Sequence, residues 1–158
     1  MNENEKELTI ERVFSASRER VWQAWTDPAQ FAKWWGPKGV TTPECTIEAR
    51  VGGEIYAVML AGKELGPLAG QRWPVRGKFI EVVDKQKLVF ENNAVAEDGQ
   101  MLIEGKTTAL FEDAPGGKTK LTLIVHAVGR APQAPQMLAG MQQGWTESID
   151  KLAATVAE

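Results

Sequence analysis

Residues 135–156 read Pro-Gln-Met-Leu-Ala-Gly-Met-Gln-Gln-Gly-Trp-Thr-Glu-Ser-Ile-Asp-Lys-Leu-Ala-Ala-Thr-Val. Leu138, Met141, Trp145, Ile149, Leu152 and Val156 recur at steps of three and four, which predicts one long helix with an apolar stripe. Such a stripe has to be covered. What precedes it alternates with period two and is broken by turn residues, as strands are. The partner for the helix is therefore a sheet. Gly140 and Gly144 lie on the same stretch, and a glycine inside a helix costs roughly 1 kcal/mol against alanine. Two of them imply a tertiary reason: close packing of helix on sheet, or room for a ligand.

Working back from that helix, residues 119–128 and 102–111 form a hairpin around Glu112-Asp113-Ala114-Pro115-Gly116-Gly117. Strands are predicted at 87–91 and 75–83, joined by Asp84-Lys85-Gln86. Residues 61–74 carry Gly62, Gly66, Pro67, Gly70 and Trp73-Pro74 and read as an irregular loop. Cys45, Ile47 and Ala49 alternate with polar neighbours, and Gly52-Gly53 leads tightly into Ile55, Ala57 and Met59. At the start, Leu8, Ile10, Arg12 and Phe14 share one face of a strand over 8–14, with residues 1–6 a flexible N-terminus. Ser17 is placed to cap a helix carrying Val21, Trp22 and Trp25, with Glu19 in its first turn. Asp27 then caps a second short helix that starts at Pro28 and presents Phe31, Trp34 and Trp35, and Gly36-Pro37-Lys38-Gly39 ends it. The order is one strand, two short helices, a run of antiparallel strands and a long helix. That is an α+β chain: about seven antiparallel strands curved around the C-terminal helix, the short helices plugging one end, and a cavity between sheet and helix. No domain boundary interrupts residues 1–158.

Composition narrows the function. The 158 residues are 43% hydrophobic and 25% charged, with a formal net charge of −3. These are ordinary values for a globular chain, and a dedicated nucleic-acid binder would carry a basic face. Cys45 is the sole cysteine, so no internal disulfide forms. The acidic N-terminus lacks the features of a signal peptide, and no apolar run is long enough to span a membrane. These points predict a cytoplasmic protein.

Catalytic motifs are few. His126 is the one histidine, so no His/Cys metal set can be assembled, and no cofactor is expected. Gly116-Gly117-Lys118-Thr119 looks like the end of a phosphate-binding loop, but Glu112 stands where that motif needs glycine, and the segment reads as a hairpin turn. No catalytic residue is assigned. His126 sits in Leu-Ile-Val-His-Ala near a strand end, on the face opposite Leu123 and Val125. It makes either an ordinary hydrogen bond or a polar point at a cavity rim. Arg12 on an inward face requires a carboxylate, with Glu48, Glu147 or Asp150 as candidates, or else anchors an acidic ligand group. The expected cavity lining is Trp25, Trp35, Ile55, Met59, Phe79, Phe90, Met141, Trp145 and Ile149, with Gly140 and Gly144 beside the last three and Met137 adding adaptable apolar surface.

The run from Arg12 to Pro28, Arg-Val-Phe-Ser-Ala-Ser-Arg-Glu-Arg-Val-Trp-Gln-Ala-Trp-Thr-Asp-Pro, followed by Trp34-Trp35-Gly36-Pro37, resembles the opening of the Hsp90 ATPase activator homologue domains. Those belong to the START / Bet v 1-like superfamily of helix-grip folds. Cys45-Thr-Ile-Glu48-Ala-Arg50-Val-Gly52-Gly53 is similar to the family's second block, and Gly77-Lys-Phe-Ile-Glu81, Leu88-Val-Phe90 and Gly144-Trp145 to later ones. The chain departs from the pattern at Ser17, where the family has proline, at Glu48, where it often has aspartate, and in a longer loop over 61–76. The resemblance implies a helix-grip fold and a small apolar ligand in the cavity. It also implies two alternatives: a partner of the Hsp90 family, or a cyclase-like enzyme using a cavity carboxylate, with Glu48 as candidate. The expected state is a monomer or a homodimer.

Overall fold

A computed structural model describes residues 4–96 and 98–157. Strand β1 spans Glu5–Phe14, so it begins within the stretch expected to be a flexible terminus. Helices α1 (Arg18–Thr26) and α2 (Pro28–Trp34) follow. The Ser17 hydroxyl accepts from the Arg20 amide, and the Asp27 carboxylate accepts from the Ala29 amide, so both caps are as the sequence predicts. Then come β2 (Val40–Ile47), β3 (Glu54–Ala61), a 3₁₀ stretch over Lys63–Leu68, β4 (Arg72–Val83), β5 (Lys87–Glu91), β6 (Asn93–Val95), β7 (Met101–Ala114) and β8 (Lys118–Gly129).

The sheet has eight strands, all paired antiparallel, in the order β1-β8-β7-β5-β4-β3-β2, with the short β6 joining β4 and β7. Two features differ from the expectation. Trp73 and Pro74 belong to β4 rather than to a loop, facing Met59 and Val58 of β3. Residues 93–95 add a strand too short for alternation to reveal. Glycine permits two close backbone approaches. A Cβ on Gly53 would lie 2.0 Å from the Glu48 carbonyl, and one on Gly77 would lie 1.9 Å from that of Glu91.

The C-terminal helix is two helices. Helix α3 covers Ala134–Ala139 and α4 covers Met141–Val156, parted at Gly140. Apolar spacing runs straight through the break, which is why it reads as one helix in the sequence. Helix α4 lies over α2, α1 and β1, and its Ile149, Leu152 and Val156 are buried. Among the described residues no helix is long and apolar enough to cross a membrane.

The inward side of the sheet changes along its length. At one end large side chains meet under α1 and α2: Ile55, Phe79, Leu88, Phe90, Phe111, Leu121 and Leu123 are all buried there. Aromatic rings lock this end, with Trp25 centred 4.7 Å from Trp34, 6.0 Å from Phe111 and 6.2 Å from Phe90. Trp34 donates its indole N–H to the Ala24 carbonyl at 2.8 Å, which ties α2 back onto α1. At the other end the same strands carry smaller groups.

Candidate functional site

That second end holds a cavity of about 500 Å³. Each wall continues an inward strand face past the packed core. On β4 the face runs from Phe79 to Val75. On β5 and β6 it runs from Phe90 through Asn92 to Ala94, on β7 from Ala109 to Gly105 and Ile103, and on β8 from Leu123 to Val125 and Ala127. Met59 and Trp73 close one flank. The roof comes from α3 and the first half of α4, through Met137, Leu138, Gly140, Met141, Gly144, Trp145 and Ser148, with Trp35-Gly36-Pro37 beside them. Space exists here because inward residues such as Ala94, Ala127 and Gly144 are small, while Gly105 lets the Asn92 backbone approach, a Cβ there lying 2.6 Å from the Asn92 carbonyl.

Two lining residues mark the mouth. Leu68, in the 3₁₀ stretch, is 46% exposed and Met137, in α3, is 39% exposed. A side chain that faces both cavity and solvent stands at a rim. The opening therefore lies between residues 63–68 and α3.

The roof is held by polar contacts outside the cavity's apolar surface. The Ser148 hydroxyl donates to the Trp34 carbonyl at 2.8 Å and accepts from the Gly36 amide at 3.2 Å. Lys151 donates to the carbonyls of Gly36 (3.0 Å) and Val40 (3.1 Å). Burial lowers the Lys151 pKa, and Glu147 partly opposes that shift. Thr42 donates its hydroxyl to the Trp35 carbonyl at 2.7 Å. These bonds fix the segment after α2, and with it Trp35, whose ring meets that of Trp145 edge to face at 5.2 Å.

Of the residues expected to line the cavity, Trp35, Met59, Met141 and Trp145 do, as do Gly140, Gly144 and Met137. Trp25, Ile55, Phe79, Phe90 and Ile149 do not. Their facing is right but they sit at the packed end, where they fill the core. Missed were Asn92, Ala94, Ile103, Gly105, Val125 and Ala127. Their alternation with the inward core residues Phe90, Ala109 and Leu123 places them on the same faces, but nothing in their residue types marks a cavity.

The polar candidates stand apart from the cavity. Arg12 pairs with Asp150 at 2.9 Å, one of the three carboxylates anticipated, and its side chain is partly exposed. His126 points from the outer face of β8 and meets Glu5 at 2.8 Å, so it is not a rim group. Glu48 is exposed; it accepts from the Glu54 amide and lies 3.6 Å from Arg50. It is not a cavity carboxylate. Among the described residues no ionisable side chain lines the cavity. Cys45 is half-buried on β2 beside the core, where burial, with a smaller contribution from Asp27, pushes its thiol up to about 11. Among the described residues no group of His, Cys, Asp and Glu is arranged to hold a metal ion.

The family described as Activator of Hsp90 ATPase homolog 1-like protein matches this chain over residues 15–157. Solved structures share the architecture. A protein of Chromobacterium violaceum superposes with a TM-score of 0.80 at 25% identity, over 96% of this chain and 97% of that one. A protein from Arthrobacter aurescens gives 0.78 at 26% identity, over 96% and 86%. The AHSA1 protein of Silicibacter pomeroyi gives 0.74 at 28% identity, over 96% and 98%. No curated protein matches the sequence.

Proposed function

The chain belongs to the family of Activator of Hsp90 ATPase homolog 1-like proteins, and from that premise we propose that it binds a small apolar molecule in the cavity beneath α3 and α4. One observation carries the proposal: about 500 Å³ of space, walled mainly by aliphatic, aromatic and thioether side chains, beside a closely packed core. That volume falls within the range of small-molecule sites. A void of this size with no occupant forfeits dispersion contacts along its whole wall, whereas a ligand restores them. The mouth between Leu68 and Met137 gives a route in. Met59, Met137 and Met141 supply polarizable surface that adapts to shape.

Trp35 and Trp145 form part of the wall, so their fluorescence reports occupancy. Titration with a panel of apolar compounds of about 12–20 heavy atoms should quench or shift it, with dissociation constants of order micromolar to tens of micromolar, as atom-efficiency bounds allow. Mass spectrometry of a solvent extract of the purified protein should show a bound compound that denatured protein does not retain. A flat response to every compound, together with an empty extract, removes the proposal.

A second reading follows from the family match: contact with a chaperone of the Hsp90 family. It predicts that the purified chain changes the ATPase rate of its host's Hsp90. No change at saturating concentration, with no co-precipitation, removes it.

A further inference from the structure

The polarity of the cavity wall restricts what can fill it, and this builds on the reading of the cavity as a ligand site. We infer that the ligand is an uncharged molecule with an apolar, ring-bearing body and an acceptor oxygen of the ketone or ester type, and that Asn92 and Trp145 donate to that oxygen.

Charge is excluded by the lining. Among the described residues no Asp, Glu, Lys, Arg or His side chain is part of it. A carboxylate or ammonium taken into such a space loses its hydration and finds no counter-charge. Asn92 and Trp145, two of the lining's polar side chains, carry N–H donors. The Asn92 carbonyl oxygen is engaged by the Thr107 hydroxyl at 2.9 Å, and Thr107 is fully buried. That contact orients the carboxamide, and its N–H donors meet no acceptor among the described residues. Trp145 is nine-tenths buried and lines the cavity, and its indole N–H finds no acceptor among the described residues. It differs from the N–H of Trp73, which donates to Gln71, and from those of Trp25 and Trp35, which are sealed in the packing without a partner. The Ser148 hydroxyl, the lining's other polar side chain, already donates to Trp34 and accepts from Gly36. The lining therefore carries N–H donors that no protein acceptor among the described residues engages. The rings of Trp35, Trp73 and Trp145 favour a planar body that can stack or meet them edge-on.

The test compares three probes on one skeleton at neutral pH: methyl 2-naphthoate, 2-ethylnaphthalene and 2-naphthoate, each followed by equilibrium dialysis. The ester should bind about fivefold more tightly than the hydrocarbon, the gain from a net hydrogen bond, and the carboxylate at least about 100-fold more weakly than the ester. Trp145→Phe keeps the ring but removes the N–H, and Asn92→Leu removes the amide. Each should lower ester affinity towards that of the hydrocarbon and leave hydrocarbon affinity within about twofold. Asn92→Leu also strands the Thr107 hydroxyl; should it fail to fold, Trp145→Phe decides alone. If the hydrocarbon binds as well as the ester, or the carboxylate matches the ester, the inference fails while the cavity stands as an apolar site. If none of the three binds the folded protein, both fail.

Discussion

Replacing Gly144 with alanine should make the protein more stable. Gly144 is the fourth residue of α4, and its amide donates to the Gly140 carbonyl at 3.0 Å, so its backbone is already helical. A Cβ placed there meets only the Pro37 Cβ, at 3.8 Å, an ordinary van der Waals contact. Nothing offsets the helix propensity of alanine, which exceeds that of glycine by about 0.8–1.0 kcal/mol. For a chain of this length that corresponds to a rise in Tm of about 2–4 °C. The assay is thermal and urea unfolding by circular dichroism, on protein refolded from denaturant so that no co-purified ligand contributes. The same position tests the cavity. Gly144→Leu extends a branched side chain from the roof into the space, and should abolish quenching by apolar compounds while the fold survives. A fall in Tm for Gly144→Ala would refute the reasoning, since it would mean that a close contact, not open space, faces this glycine.

Three further outcomes are expected. Trp34→Phe should cost about 1–3 kcal/mol more than Trp25→Phe in urea unfolding, because only Trp34 leaves behind a buried carbonyl, that of Ala24. Cys45 should resist iodoacetamide at mildly alkaline pH and react at the ordinary rate once urea unfolds the chain, since burial, with Asp27, holds its thiol up to about 11; fast labelling of native protein would contradict this. Lys151 is lowered from 10.5 by burial, so between its folded and unfolded values the unfolded chain binds more protons. Its contribution is present above about pH 10.5 and is lost as pH falls through the lowered folded value; the stability difference between wild type and Lys151→Met should therefore shift in favour of wild type as pH rises through that window, and a flat difference would oppose it.

Local signals in the sequence carry most of the fold. Ser17, Asp27 and Pro28 place two helix starts to the residue, because capping chemistry is short-range. The face of β1 is readable from Leu8 to Phe14 because alternation needs no partner. The break at Gly140 is not readable, since Leu138, Met141 and Trp145 keep helical spacing across it and the backbone there stays near helical values (φ −92°, ψ 0°). The cavity is legible only in part, for a physical reason. Large inward residues such as Phe79, Phe90 and Ile149 attract attention as lining, yet they abolish space where they sit. A void forms where inward residues are small, and Ala94, Gly105 and Ala127 have no aromatic or periodic signature to mark them. Trp35 and Trp145 are legible because they are large and lie on apolar faces, Trp145 beside Gly144 and Gly140, and both border the void. Asn92 carries no cavity signal either, since an asparagine just past a strand end usually signals a turn.

The pairing of β1 with β8 has a consequence for how the protein is made. Glu5 lies opposite Val128 and Phe14 opposite Thr119, so the first strand translated must wait for the last before it joins the sheet. At typical synthesis rates of about 5–20 residues per second, more than 100 intervening residues amount to roughly 5–25 seconds on the ribosome. Closing so long a loop also makes this pairing among the slower steps of refolding in isolation. The capped helices α1 and α2 need no such delay, being local, and can form while β1 waits. By this reasoning the β1–β8 seam should be among the last parts of the sheet to assemble.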